Sequence, residues 1–221
     1  LSKDGKSMYV ITSEWSKEFK NIEDKNSEPM YYENLPFRFD TRGIIYNKRS
    51  HVYKVNIQTK KFTKIVDGDA KDIISIESMV EGEKGLVLSF DQYNSKGTML
   101  EEKIGAIEGS KIKEIYSQGS MGNLFYYEDG LHAVGMRKRF DWPTNTTVLK
   151  ISNTGKVSYK YRLFDRNIVK AEVNEAILYF LYEDSGKTLL RDGTNNVDLI
   201  NSDVTIKDFA FNNEQTFVIA N

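Results

Sequence analysis

Cysteine is absent from the 221 residues, which removes disulfides, thiolate metal ligands and cysteine nucleophiles together. A chain without cysteine suits a reducing compartment, and a cytoplasmic location is the expectation. Proline occurs three times and histidine twice, so the composition excludes a proline-rich linker and leaves few ligands for a histidine metal centre. No run of about 18 apolar residues is present, so no helical membrane span is expected. Neither sign of charge dominates: 31 lysines and arginines face 32 acids, for a net charge of −1. That balance gives no electrostatic reason for a nucleic-acid or anionic-membrane partner. The start, Leu1-Ser2-Lys3-Asp4-Gly5, is neither an initiator methionine nor a secretory leader, and it reads as the start of an excised piece.

What the chain does have is 39% hydrophobic and 12% aromatic residues, enough to fill a core. The apolar residues alternate over short runs rich in Val, Ile, Tyr and Phe, as at 7–13, 85–90, 122–127 and 176–182. Period two over such lengths is the signature of strands. Turn residues separate these runs every 8 to 12 residues or so, and no segment sustains a capped helical stripe. The fold class is therefore all-β.

A repeat lies in the turns. One unit, strand–turn–strand, reads "ISIESMVEGEKGLVLSF", "GNLFYYEDGLHAVGM", "IVKAEVNEAILYFLY" and "VTIKDFAFNNEQTFVIA". A second unit alternates with it: "HVYKVNIQTKKFTKIV", "KIGAIEGSKIKEIYS", "TTVLKISNTGKVSYKYRL" and "KTLLRDGTNNVDLIN". Turns of the first series near Gly82, Asp129, Asn174 and Asn213 are 47, 45 and 39 residues apart; those of the second near Thr59, Gly109, Gly155 and Gly193 are 50, 46 and 38 apart. Four strands per 40 to 50 residues or so is the spacing of a β-propeller blade, since a four-stranded sheet must stack on copies of itself to bury its faces. With strands A to D numbered from the propeller axis outward, the first series are A–B hairpins and the second C–D hairpins. Blades are expected at 1–68, 69–118, 119–164 and 165–203, with a half blade at 204–221. About 4.5 blades are present, as an incomplete propeller or a five-bladed ring.

Three stretches carry a family resemblance: "LSKDGKSMYVITSEWSK", "LPFRFDTRGIIYNKRSHVYKVNIQTKKFTKIVDGD" and the closing "IKDFAFNNEQTFVIAN". In that order they resemble the N-terminal propeller of the prolyl oligopeptidase family of serine peptidases, in its acylaminoacyl-peptidase branch. The likeness is carried by motifs over residues 1 to about 72 and by blade period alone from 73 to 200. It implies a propeller that gates peptide access to an α/β-hydrolase domain holding Ser, Asp and His, with that domain and a peptide as partners and self-association possible. No cofactor is implied. The G-x-S-x-G elbow that would lift such a serine above its sheet is missing here. "QGSMG" is the nearest approach, and its Ser120 reads as a link between blades. The resemblance therefore gives this chain no catalytic residue.

His51 and His132 have no histidine or clustered carboxylate at ligand spacing and read as structural. "DGDAKD" at 67–72 lacks the twelve-residue frame of a calcium hand and reads as a solvated link. "NTT" at 145–147 fits a glycosylation acceptor, with nothing else pointing to secretion. Two other classes compete: a free-standing propeller that binds a protein or small ligand, and a glycosidase-like propeller enzyme, which would need two convergent carboxylates. The long connections at 14–50, 92–103 and 137–145 all fall on the B–C and D–A side of the sheets, where loops on a rigid scaffold carry binding function. Trp15, Phe37, Arg38, Phe39, Arg137, Arg139 and Trp142 are expected to gate substrate or border a hydrolase domain there. Arg38 has two candidate partners, a peptide carboxylate or its neighbour Asp40.

Overall fold

The computed structural model describes residues 1–16, 38–39, 43–44, 48–83, 85–128, 130–138, 145–161, 164–200, 204–212 and 215–221, with backbone pairing alone for 38–39 and 43–44. Backbone contacts divide the chain into two units, Leu1–Ser117 and Gln118–Asn221.

The first unit begins with β1 (Ser7–Trp15), followed by the two-residue strands β2 (Arg38–Phe39) and β3 (Gly43–Ile44), which pair with each other. Next come β4 (Lys48–Asn56) and β5 (Phe62–Val66), giving an antiparallel sheet in the order β1-β4-β5. A single helical turn, α1 (Gly68–Lys71), leads into β6 (Ile73–Gly82), β7 (Gly85–Tyr93), β8 (Leu100–Glu108) and β9 (Lys111–Tyr116), paired in chain order. The two sheets stack on Val52 and Val66 from one side and Ile73, Ile76, Leu86, Leu88 and Phe90 from the other. The Glu81 carboxylate adds a polar tie, accepting from the Lys3 backbone N–H at 2.6 Å and the Tyr9 hydroxyl at 2.7 Å.

The second unit repeats the scheme. Strands β10 (Ser120–Tyr127), β11 (Gly130–Met136), β12 (Thr147–Ile151) and β13 (Val157–Tyr159) form one four-stranded sheet. A second holds β14 (Ile168–Asn174), β15 (Ile177–Asp184), β16 (Lys187–Asp192) and β17 (Val197–Asp198), followed by the pair β18 (Ile206–Phe211) and β19 (Thr216–Ala220). Alternation along β15 explains why it is apolar from Ile177 to Tyr182: Leu178, Phe180 and Tyr182 pack with Phe125, Tyr127 and Val134 of one neighbouring sheet, while Leu181 packs with Ile206 and Phe209 of the other. Each such side chain contributes about 1.5–3 kcal/mol by leaving water. The fourth strands are the polar ones: β9 has the burial pattern eieeii and β17 is exposed. Short charged edges of this kind discourage pairing with other chains.

Turn chemistry sets the registers. β14 and β15 are joined by Glu175 and Ala176 at φ 49° and 64°, and β15 and β16 by Ser185 and Gly186 at 50° and 76°. Two successive positive φ values make the tight hairpin turn whose twist suits antiparallel strands. Two sequence expectations are corrected. Ser120 is not in a link but is the first residue of β10, opposite Met136. The 67–72 segment is not simply solvated, because it holds α1 and its Gly68 is buried against β4.

Candidate functional site

A group of titratable side chains lies where β1, β4, β5 and α1 meet. Pairing brings Glu14 opposite Arg49, Trp15 opposite Lys48 and Thr12 opposite His51. The β4–β5 hairpin pairs Val52 with Val66, so its next position sets His51 beside Asp67. His51 is fully buried. Its Nδ1 accepts from the Gly68 backbone N–H at 3.1 Å and lies 3.2 Å from Lys64 Nζ and 3.3 Å from Asp67 Oδ1. Two donors at Nδ1 fix the neutral tautomer with hydrogen on Nε2, and Nε2 stands 4.0 Å from Glu14 Oε2. Glu14 accepts from the Tyr53 hydroxyl at 3.0 Å, and the Lys64 ammonium sits 5.3 Å from the Tyr53 ring centroid. Arg49 reaches Asp72 at 2.7 Å, tying β4 to the far end of the link.

The electrostatics follow from burial and this arrangement. Burial lowers the His51 pKa below its usual value and the Lys64 charge lowers it further, against the opposing pull of Glu14, Asp69 and Asp67. Burial also works against the Lys64 charge, but the Tyr53 hydroxyl, Asp67 and Glu14 outweigh it, and the Lys64 pKa is raised.

His51, Asp67 and Asp69 each offer a ligand atom within 4.8 Å of the others, a donor set a divalent metal could use. Two features oppose that use. The single in-plane lone pair of Nδ1 is already directed at the Gly68 N–H, and the ammonium of Lys64 stands where a cation would go. The residues present make a polar lock, not a metal centre.

His132 is also buried, stacked 5.7 Å from Phe125 with Tyr127 edge-on at 5.7 Å, and its Nδ1 bonds the Gly130 carbonyl at 3.0 Å. No serine, threonine or tyrosine hydroxyl lies at hydrogen-bond distance from either imidazole among the described residues.

Of the residues singled out in the sequence, Trp15 ends β1, 41% exposed, with the Lys48 ammonium 5.4 Å from its ring centroid. Arg137 follows β11 in the second unit, its guanidinium 5.5 Å from the Tyr159 ring centroid. Arg38 and Phe39 form β2 against Ile44 and Gly43. Phe37, Arg139 and Trp142 lie outside the described residues. The lock was not foreseen, although its signal was in the turn arithmetic: His51 and Asp67 are equidistant from the Thr59 turn.

The fold has counterparts among solved structures. It is similar to Pyrococcus horikoshii acylaminoacyl peptidase in an orthorhombic crystal form, with TM-score 0.75 and 11% identity. It is similar as well to an acylaminoacyl peptidase in complex with Z-Gly-Gly-Phe-chloromethyl ketone, with TM-score 0.74 and 12% identity. Each likeness covers 100% of this chain and 34% of the other, so the chain spans about a third of their length. No protein-family model and no curated protein matches this sequence. At this identity the likeness is one of fold, and the family resembled in sequence is also the one whose structures share that fold.

Proposed function

We propose that this chain is the propeller part of a serine peptidase of the acylaminoacyl-peptidase kind, without catalytic groups of its own, and that it restricts which peptides reach a hydrolase domain outside these residues. The observation that carries the reading is the fold likeness, which takes in the whole of this chain and only 34% of each neighbour. The side chains are consistent with it: both histidines are buried in structural settings, and Ser120 sits in a strand without an elbow. A propeller can select by shape, admitting extended or short peptides and turning away folded proteins. Trp15, Phe37, Arg38, Phe39, Arg137, Arg139 and Trp142 remain the proposed gate or border residues, and a cytoplasmic location remains part of the proposal. Among the described residues no helix is long and apolar enough to cross a membrane.

The test compares three proteins: the 221-residue chain, the complete product of its gene, and that product without residues 1–221. The chain alone should not hydrolyse N-acyl peptide anilides, the complete product should cleave short peptides and spare folded proteins, and the truncated form should lose that discrimination. Turnover by the chain alone, or a gene product without a hydrolase domain, would overturn the reading.

A further inference from the structure

We propose that the His51 cluster is a proton-operated latch, in which the neutral imidazole holds the Gly68 N–H of the 67–72 link and the protonated imidazole lets that N–H go and takes the Asp67 carboxylate in its place. The geometry is a conflict between donors. Neutral Nδ1 is an acceptor for the Gly68 N–H at 3.1 Å and the Lys64 ammonium at 3.2 Å. A proton on Nδ1 turns that acceptor into a donor facing two donors, so both bonds are lost together.

Every element around the ring contributes a charge or a dipole. Glu14 faces it from β1, Tyr53 from its own strand with Arg49 bound to Asp72, Lys64 from β5, and Asp67, Asp69 and the Gly68 N–H from the link. The carboxylates favour the imidazolium, whereas burial and Lys64 oppose it, and the balance falls on the neutral side. Once charged, the ring has a new acceptor at hand in Asp67 Oδ1, 3.3 Å from Nδ1. Taking it turns Lys64 outward, towards the solvent that its one-third exposed side chain already meets.

Gly68 cannot follow by a small adjustment. Its Cα is so close to β4 that a Cβ would stand 2.1 Å from the Ser50 carbonyl oxygen, so Gly68 is seated directly on the β4 backbone. That close fit leaves little room for gradual drift, so the Gly68 N–H is either bonded to His51 or let go. Trp15 and Lys48 pair at the same end of the sheet, so the latch sits at the root of the 16–47 segment.

The test follows the Gly68 amide and the His51 ring by NMR from pH 8 to pH 5 in the 221-residue chain. Expected is a loss of Gly68 amide protection of tenfold or more, beyond the ordinary pH dependence of exchange, with the same midpoint as the His51 titration. His51→Asn, which keeps an acceptor near the Nδ1 position and does not titrate, should hold Gly68 protected throughout. Lys64→Met, which removes the opposing cation, should move the His51 midpoint to higher pH. Gly68 protection that is constant through the His51 titration would overturn the latch. So would the same loss in His51→Asn, a midpoint that Lys64→Met leaves unchanged or lowers, or a ring that stays neutral until the whole chain unfolds.

Discussion

Gly68→Ala tests the packing logic of the first unit with the smallest possible perturbation. The added Cβ would lie 2.1 Å from the Ser50 carbonyl oxygen and 2.9 Å from its carbon, both backbone atoms, where real Cβ contacts stay beyond 3.0 Å. No flexible side chain can yield, so the link must lift from β4. Overpacking of this kind costs about 1–3 kcal/mol, and leaving the Gly68 N–H without its His51 acceptor adds about 1–3 kcal/mol more. A total of about 2–6 kcal/mol is a large part of the stability of a typical domain. Gly109→Ala is the matched control: its φ of 62° is strained for alanine, but nothing lies within 4 Å of the added atom. It should cost about 1–2 kcal/mol. Urea unfolding followed by circular dichroism at pH 8, with the two variants beside the wild type, reads the difference directly. If Gly68→Ala costs no more than Gly109→Ala, the close seating of the link on β4 is wrong.

The remaining predictions concern the second unit. Ala176→Gly should raise stability by about 1 kcal/mol in the same urea assay, because an exposed alanine at φ 64° carries strain that glycine does not. Asp192→Ala should cost about 1–3 kcal/mol, since this buried carboxylate accepts from the Thr194 and Asn195 backbone N–H groups at 2.9 and 2.8 Å. Asp192→Asn, which keeps one acceptor oxygen, should fall between. Burial lowers the His132 pKa from its usual 6.5, with Lys160 and Lys150 adding to the effect. Its neutral form is therefore favoured by folding, and the stability it contributes is whole above pH 6.5 and drains away as pH falls towards the depressed folded-state value. Subtracting a His132→Phe titration of unfolding free energy from that of the wild type should leave a difference that grows below pH 6.5; a difference independent of pH would remove the linkage.

The strands and their order were legible because they rest on local physics. Period-two runs such as 176–182 and turn residues at Gly109 and Gly155 with φ of 62° and 76° act within a few residues. Four hairpins of each kind, spaced by about one blade, were enough to name the architecture before any contact was known. The seven proposed gate residues show the limit of that reading: Trp15 and Arg137 fall in different units, and their shared placement came from counting which side of a sheet each loop leaves.

The lock at His51 marks the division most clearly. Sequence determined that residues 51 and 67 flank one hairpin, and turn arithmetic alone makes them neighbours. Only the tertiary structure decided the rest. An irregularity between Val52 and Tyr53 shifts the pairing, setting Lys64 opposite Tyr53 and within reach of the ring, and α1 presses Gly68 onto Ser50. These contacts depend on how far a strand slips and how closely a link seats against the strand beside it. Such quantities are set by packing between segments distant in the chain, for which residue type and spacing carry no code.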